Sequence, residues 1–165
     1  MAGSIGHVVA IAQSHENPKP GEFLVQMSNR DFSEMLEANS INMTRGVAAG
    51  TVARLLWKHP DWIDRLAPAI ESLVADTHPA VRAAGIAACL PVLNIDRNRA
   101  VSWLIHACVH EDDRILGCSE TRQFLAYSAR TNFTRKEPLP KTLLDLMTPQ
   151  PKEKSLLSKL FGVGK

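Results

Sequence analysis

Histidines, cysteines and carboxylates carry most of the chemistry open to a chain, and here they gather between residues 106 and 118. His106 and His110 are four apart, with Cys108 between them and Cys118 beyond the next turn. Two histidines at that spacing share a helix face and can hold one metal ion, and a thiolate nearby would complete a tetrahedral zinc site. The detail is against it. Cys108 falls on the apolar stripe of its helix, away from the histidines, and His110-Glu111 runs on into Asp112, Asp113 and Arg114 instead of completing H-E-x-x-H. His110 reads as a helix end, where an imidazole meets the carbonyl dipole. Glu111, Asp112 and Asp113 are candidates for paired acid and base work, but acids crowded into a solvated turn serve as caps and for solubility. Neither G-x-S-x-G nor G-x-x-x-x-G-K-[ST] occurs in the sequence. The expectation is a protein with no cofactor, no metal and no catalytic residues.

Binding residues are better represented. Arg45, Arg54 and Lys58 lie along one helical stretch with Trp57, and Arg82, Arg122 and Arg130 follow at later positions. Arginine and tryptophan are the commonest anchors of protein interfaces. The same basic residues, lined up on one face, are also the footprint of a nucleic-acid binder. A second candidate is K-E-K-S-L-L-S-K-L-F-G-V-G-K, residues 152–165. There Leu156, Leu157, Leu160 and Phe161 share a face at helical spacing, with Lys152, Lys154, Lys159 and Lys165 around it. That is the form of a docking peptide or of a weak membrane-surface anchor, too short to hold a bilayer firmly by itself.

Those side chains need a scaffold, and composition says which. At 165 residues, 45% hydrophobic and 22% charged, the chain is long enough for one domain with a substantial core. Aromatics are only 5%. Alanine and leucine dominate, which favours helices over sheets. A net charge of +2 does not by itself imply nucleic acid or anionic membrane. The three cysteines Cys89, Cys108 and Cys118 are an odd number at helix-interior spacings, which reads as reduced thiols in a cytoplasmic protein. The first residues lack the basic region of a signal peptide, and no window has the apolar length to span a bilayer.

The elements follow in order. Residues 1–30 are poorly patterned, and Pro18, Pro20 and Gly21 break them. A short helix is expected over Asp31 to Ala38, with Phe32, Met35 and Leu36 on one face. Asn42 or Thr44 caps a stronger helix to Lys58, with the stripe Ala48, Val52, Leu55 and Leu56. His59-Pro60 ends it, and Asp61 caps the next, where Pro68 should kink or split the pattern Trp62, Ile63, Leu66, Ile70, Leu73, Val74. The central helix runs from His78-Pro79 to Leu93, apolar over most of its circumference and rich in small residues, so its neighbours can approach closely. Asp96 caps a fifth helix, and a sixth begins at Ser119.

Shifting the chain by 37 residues superposes Asn39, Asp76 and Asp113, and also Arg45 and Arg82, with Ser119 in the third copy. Helices 42–58, 79–93 and 117–130 become one element three times over, and 61–75 and 97–110 their alternating partners. A period of that size with two helices per unit is the pattern of a helical solenoid. An Asp at the turn and an Arg one turn into the next helix can bond across to adjacent repeats. D-x-x-x-x-V-R at Asp76 to Arg82, after L-x-P-A-I-x-x-L at Leu66 to Leu73, resembles a HEAT repeat. I-N-M-T-R-G-V-A-A, H-P-A-V-R-A-A and H-E-D-D-R-I-L-G with F-L-A-Y are similar to the C-terminal helical repeats of large bacterial NACHT-like signalling NTPases, where repeats serve as sensor or scaffold.

The sequence therefore predicts an all-α, HEAT-like solenoid of about three hairpins. An irregular segment with a short helix covers 1–40, the repeats 41–131, and a Pro-containing linker with the basic amphipathic tail 132–165. The expected function is a non-catalytic adaptor or sensor module that binds a protein partner on the face of helices 42–58, 79–93 and 117–130. Arg45, Arg54, Trp57, Arg82, Arg122, Leu156, Leu160 and Phe161 are the contact residues. Nucleic acid on the basic face is the alternative, and a membrane surface, reached through the tail, is the least favoured partner.

Overall fold

The computed structural model describes residues 2–14, 19, 22, 32–108 and 113–135. Among them are the helices α1 (Ala2–Ala12), α2 (Phe32–Asn42), α3 (Thr44–Lys58), α4 (Ile63–Val74), α5 (Pro79–Cys89), α6 (Arg97–Cys108) and α7 (Ser119–Arg135). Short 3-10 turns at Pro60–Trp62, Pro91–Asn94 and Asp113–Gly117 connect them, and no strand occurs among the described residues. The all-α class expected from composition is what is found. No described helix is long and apolar enough to cross a membrane.

Helix boundaries follow local chemistry. The α3 helix stops at Lys58 because Pro60 cannot continue it, and the His59 amide turns back to the Leu55 carbonyl at 2.7 Å. In α5 the helix ends earlier than the apolar pattern suggests. Pro91 has no amide to offer, so α-helical bonding ends at Cys89 and a 3-10 turn carries Val92 and Leu93 into the core. Asp96 accepts the Arg99 amide at 3.0 Å and caps α6. Pro68 does not split α4, which runs unbroken through it. Pro68 and Asp64, four residues before it, both lie exposed, so water can satisfy the carbonyl that the missing amide leaves.

The N-terminal region departs from expectation. Residues 2–12 form α1, with Ile5 and Ala12 buried and Val8, Val9 and Ile11 packed on the core. The short helix expected over 31–38 extends to Asn42, and the predicted caps of α3 are not used. Asn42 instead donates to the Ala38 carbonyl at 2.7 Å, and Met43, fully buried, takes an extended conformation that turns the chain. Apolar burial of one side chain makes this corner, in place of a capping hydrogen bond.

The α5 helix is the hub. It packs against α2, α3, α4, α6 and α7, while α1 lies on α3 and α4, and α4 on α6. Ala80, Val81, Ala83, Ala84, Gly85, Ile86, Ala88 and Cys89 are all buried. Small side chains make this crowding feasible. A Cβ on Gly85 would stand 3.1 Å from the backbone of Leu73 in α4. The α2 helix covers α5 with Leu36 and Asn39 fully buried, and its Ser33 hydroxyl accepts the first amide of α7 at 3.0 Å. The face expected to run across α3, α5 and α7 is therefore closed in its middle. No residue of α5 is exposed.

The α2–α3 corner yields a sharp expectation. A Cβ on Gly46 would fall 1.9 Å from the Ser40 carbonyl oxygen, whereas one on Gly50 meets nothing nearer than the Arg54 guanidinium at 3.7 Å. Urea denaturation should show Gly46→Ala losing about 3 kcal/mol, at the upper end of overpacking costs. Gly50→Ala should gain about 0.5 kcal/mol from helix propensity.

Candidate interaction surface

The polar centre of the molecule is Asp76, buried in the turn before α5. Arg45, in the first turn of α3, reaches it side-on: Nε lies 2.7 Å from Oδ2, and Nη2 donates to Oδ1 at 3.2 Å. The remaining amino group, Nη1, donates to the Ser14 carbonyl at 2.7 Å, just after α1. Arg82, one turn into α5, donates through Nη1 to the Asp76 carbonyl at 2.8 Å and to that of Thr77 at 3.0 Å. The Asp–Arg contacts expected from the repeat register are thus present between α3 and the α5 turn. The counterpart at Asp113 has its side chain outside the described residues.

His78 completes the turn. Its amide donates to Asp76 Oδ1 at 2.8 Å, and its Nδ1 accepts the Ala80 amide at 3.2 Å, capping α5. Nε2 then donates to the Glu22 carbonyl. Those partners require the neutral ring with its proton on Nε2. Burial lowers the pKa from the ordinary 6.5, and the Arg45 and Arg82 charges push the same way, against the Glu22 bond and Asp76.

This geometry corrects two of the expected contact residues. Arg45 is 2% and Arg82 3% exposed, so neither presents a guanidinium to a partner. Arg54, Trp57 and Arg122 remain on the surface, with Lys58 and Arg130. Leu156, Leu160 and Phe161 lie outside the described residues.

The exposed side of α3 carries Thr44, Val47, Arg54, Trp57 and Lys58, and its other side carries the buried Ala48, Val52 and Leu56. Trp57 is 52% exposed yet held edge-on by Tyr127 of α7, ring centroids 6.1 Å apart. The Tyr127 hydroxyl is fixed in turn by the Asn94 amide at 2.9 Å. At the other end of the same side, Val47 is 52% and Ile41 67% exposed. They line an open groove of about 340 Å³ with Val8, Ile11, Met43 and Ala48. Val47 and Ile41 escape a periodicity reading because each lies off its helix's buried stripe. The signal available was that both are large, apolar and out of register.

The other two tryptophans are committed to packing. Trp103 is buried beneath the Arg99 guanidinium, 4.9 Å from its ring centroid, and Arg99 also pairs with Asp64 at 2.9 Å. Trp62 stacks on His59 at 4.1 Å. His106 is exposed near Glu71 and Trp103, while Cys108 is buried, its thiol pushed up to about 12 by burial. Among the described residues no group of three His, Cys, Asp or Glu stands close enough to hold a metal ion. Comparison with known proteins yields no match to a family model, a curated protein or a solved structure.

Two outcomes follow from the buried centre. Removing one partner of a buried ion pair costs about 3–5 kcal/mol. Asp76→Asn should lose stability on that scale in urea, and Arg45→Met/Asp76→Asn should lose less than the two single changes added together. The second concerns pH. Because the folded chain resists protonating His78, the unfolded chain takes up the proton first on acidification. Its contribution is complete above about pH 6.5 and is lost as pH falls toward the lowered folded value. His78→Asn, which keeps an N-cap acceptor, should flatten the dependence of unfolding free energy on pH below about 6.5.

Proposed function

We propose that the chain is a non-catalytic helical-repeat scaffold of HEAT-like form that binds a protein partner along the exposed side of α3. The solenoid reading is supported by packing order. The α3, α5 and α7 helices follow one another in contact, and α1, α4 and α6 do the same beside them. It is also supported by the Arg45–Asp76 pair, which joins one hairpin to the next at the predicted register. The buried thiols of Cys89, Cys108 and Cys118 suit a reducing, cytoplasmic setting.

The observation that carries the partner reading is Trp57: half-exposed, buttressed by Tyr127, and flanked by Arg54 and Lys58 on its own helix. A rigid aromatic beside cations is the usual anchor of a protein interface. Arg54 and Lys58 beside the ring suit a partner segment with acidic side chains next to an apolar one that packs on Trp57. The second reading is nucleic acid. An exposed tryptophan between cations is also a stacking platform for single-stranded bases. A net charge of only +2 favours protein.

The test is capture from host lysate by the full chain, with and without nuclease, alongside Trp57→Ala, Arg54→Glu and Arg65→Glu as an exposed control on α4. A protein that survives nuclease and binds about 30-fold more weakly to Trp57→Ala, with Arg65→Glu unchanged, supports the scaffold. Retention of nucleic acid alone, lost steeply as salt rises, overturns it in favour of the second reading.

A further inference from the structure

The groove between α1 and the α2–α3 corner is built for a different occupant from the Trp57 end. Its lining side chains are Val8, Ile11, Ile41, Asn42, Met43, Thr44, Val47, Ala48 and Thr51, none of them charged. Ile41 and Val47 are the two most exposed large aliphatic side chains described, and they stand together in it. Clustered exposed apolar groups beside a cavity mark a site that something covers. The rim supplies the sign of the charge. Glu37 lies one turn before Ile41 on the exposed side of α2.

We propose that this groove is the docking site of the chain's own segment 152–165. That segment has the complementary chemistry: Leu156, Leu157, Leu160 and Phe161 at helical spacing, with Lys152, Lys154 and Lys159 among them. The leucines and the phenylalanine fill the uncharged groove, and a lysine meets Glu37 on the α2 side of its rim. Arg54 flanks the groove on its α3 side, its guanidinium beside Gly50, so the lysines belong on the α2 side; at the Trp57 end they would meet Arg54 and Lys58 together. Reach is adequate. Arg135 and Lys152 are separated by 16 residues, a length that spans up to about 50 Å when extended. Tethering does the rest. At an effective concentration of about 1 mM, an intrinsic affinity of only about 0.1 mM keeps the groove about nine-tenths filled.

The three native cysteines are buried, with the Cys108 thiol pushed up to about 12 and that of Cys89 further still, so they resist labelling near neutral pH. A nitroxide on Ser158→Cys in the full chain is therefore a selective probe. We expect it to broaden the amide resonances of Ile41, Val47 and Thr51, cutting their intensity by about half or more, given the occupancy above. The effect should persist when the labelled chain is diluted into excess unlabelled chain. Adding Leu157→Asp and Leu160→Asp should abolish it without shifting core resonances, and Glu37→Lys should weaken it. Broadening at other sites, or broadening only between mixed copies, overturns the proposal; the latter assigns the groove to a second copy. Neither result bears on capture through Trp57, so the two proposals fail separately.

Discussion

A carboxylate can sit among packed helices only if its charge is met there, because the desolvation it suffers is larger than any packing it gains. Asp76 is met by Arg45, and the geometry of that one contact governs a large part of the molecule. A guanidinium has donors on more than one edge. The edge that Asp76 does not take reaches the carbonyl of Ser14, so the end of α1, the start of α3 and the turn before α5 are drawn to a single point. Arg82 takes the Asp76 and Thr77 carbonyls, the His78 amide bonds Asp76, and α5 then begins at Pro79 with its cap already made.

From that point the consequences are steric. A helix anchored at its start and surrounded by five others must be thin, and α5 is thin because its buried residues are mostly alanine and glycine. The close approach at Gly85 and the closer one at Gly46 belong to the same economy: each is a place where backbone, not side chain, fills the space. The cost is that α5 offers nothing to the outside. The exposed features that remain lie at the edges, among them the side of α3 with its buttressed Trp57 and the apolar groove between α1 and the α2–α3 corner. A basic side chain conserves its binding potential only where it stays wet. That separates Arg54 and Arg122, which are exposed, from Arg45 and Arg82, which hold the fold.

Much of this was legible in the one-dimensional pattern. The helices from Thr44 onward, the stops at His59-Pro60 and near Pro91, the Asp96 cap and the small-residue character of α5 are local properties. Proline geometry, capping chemistry and a helical period express them directly. The register that superposes Asp76 on Asp113 and Arg45 on Arg82 also pointed to a turn-to-helix contact, and Asp76 makes it. What the pattern lacked was any account of what lies on top of a face. It shows which residues line up along a helix, but burial depends on what the rest of the chain brings against that line. Thus α1, with glycine and serine in it, forms because α3 and α4 are there to cover Ile5 and Ala12. The α2 helix closes α5, Arg45 goes inward as the ion partner of Asp76 and Arg82 as a donor to the carbonyls of its turn, and Val47, Ile41 and Trp57 stay outward although their types suit a core. Local chemistry determined the helices from Thr44 onward; only the tertiary contacts decided which of their faces meet water, because exposure is a property of neighbours and not of the residue itself.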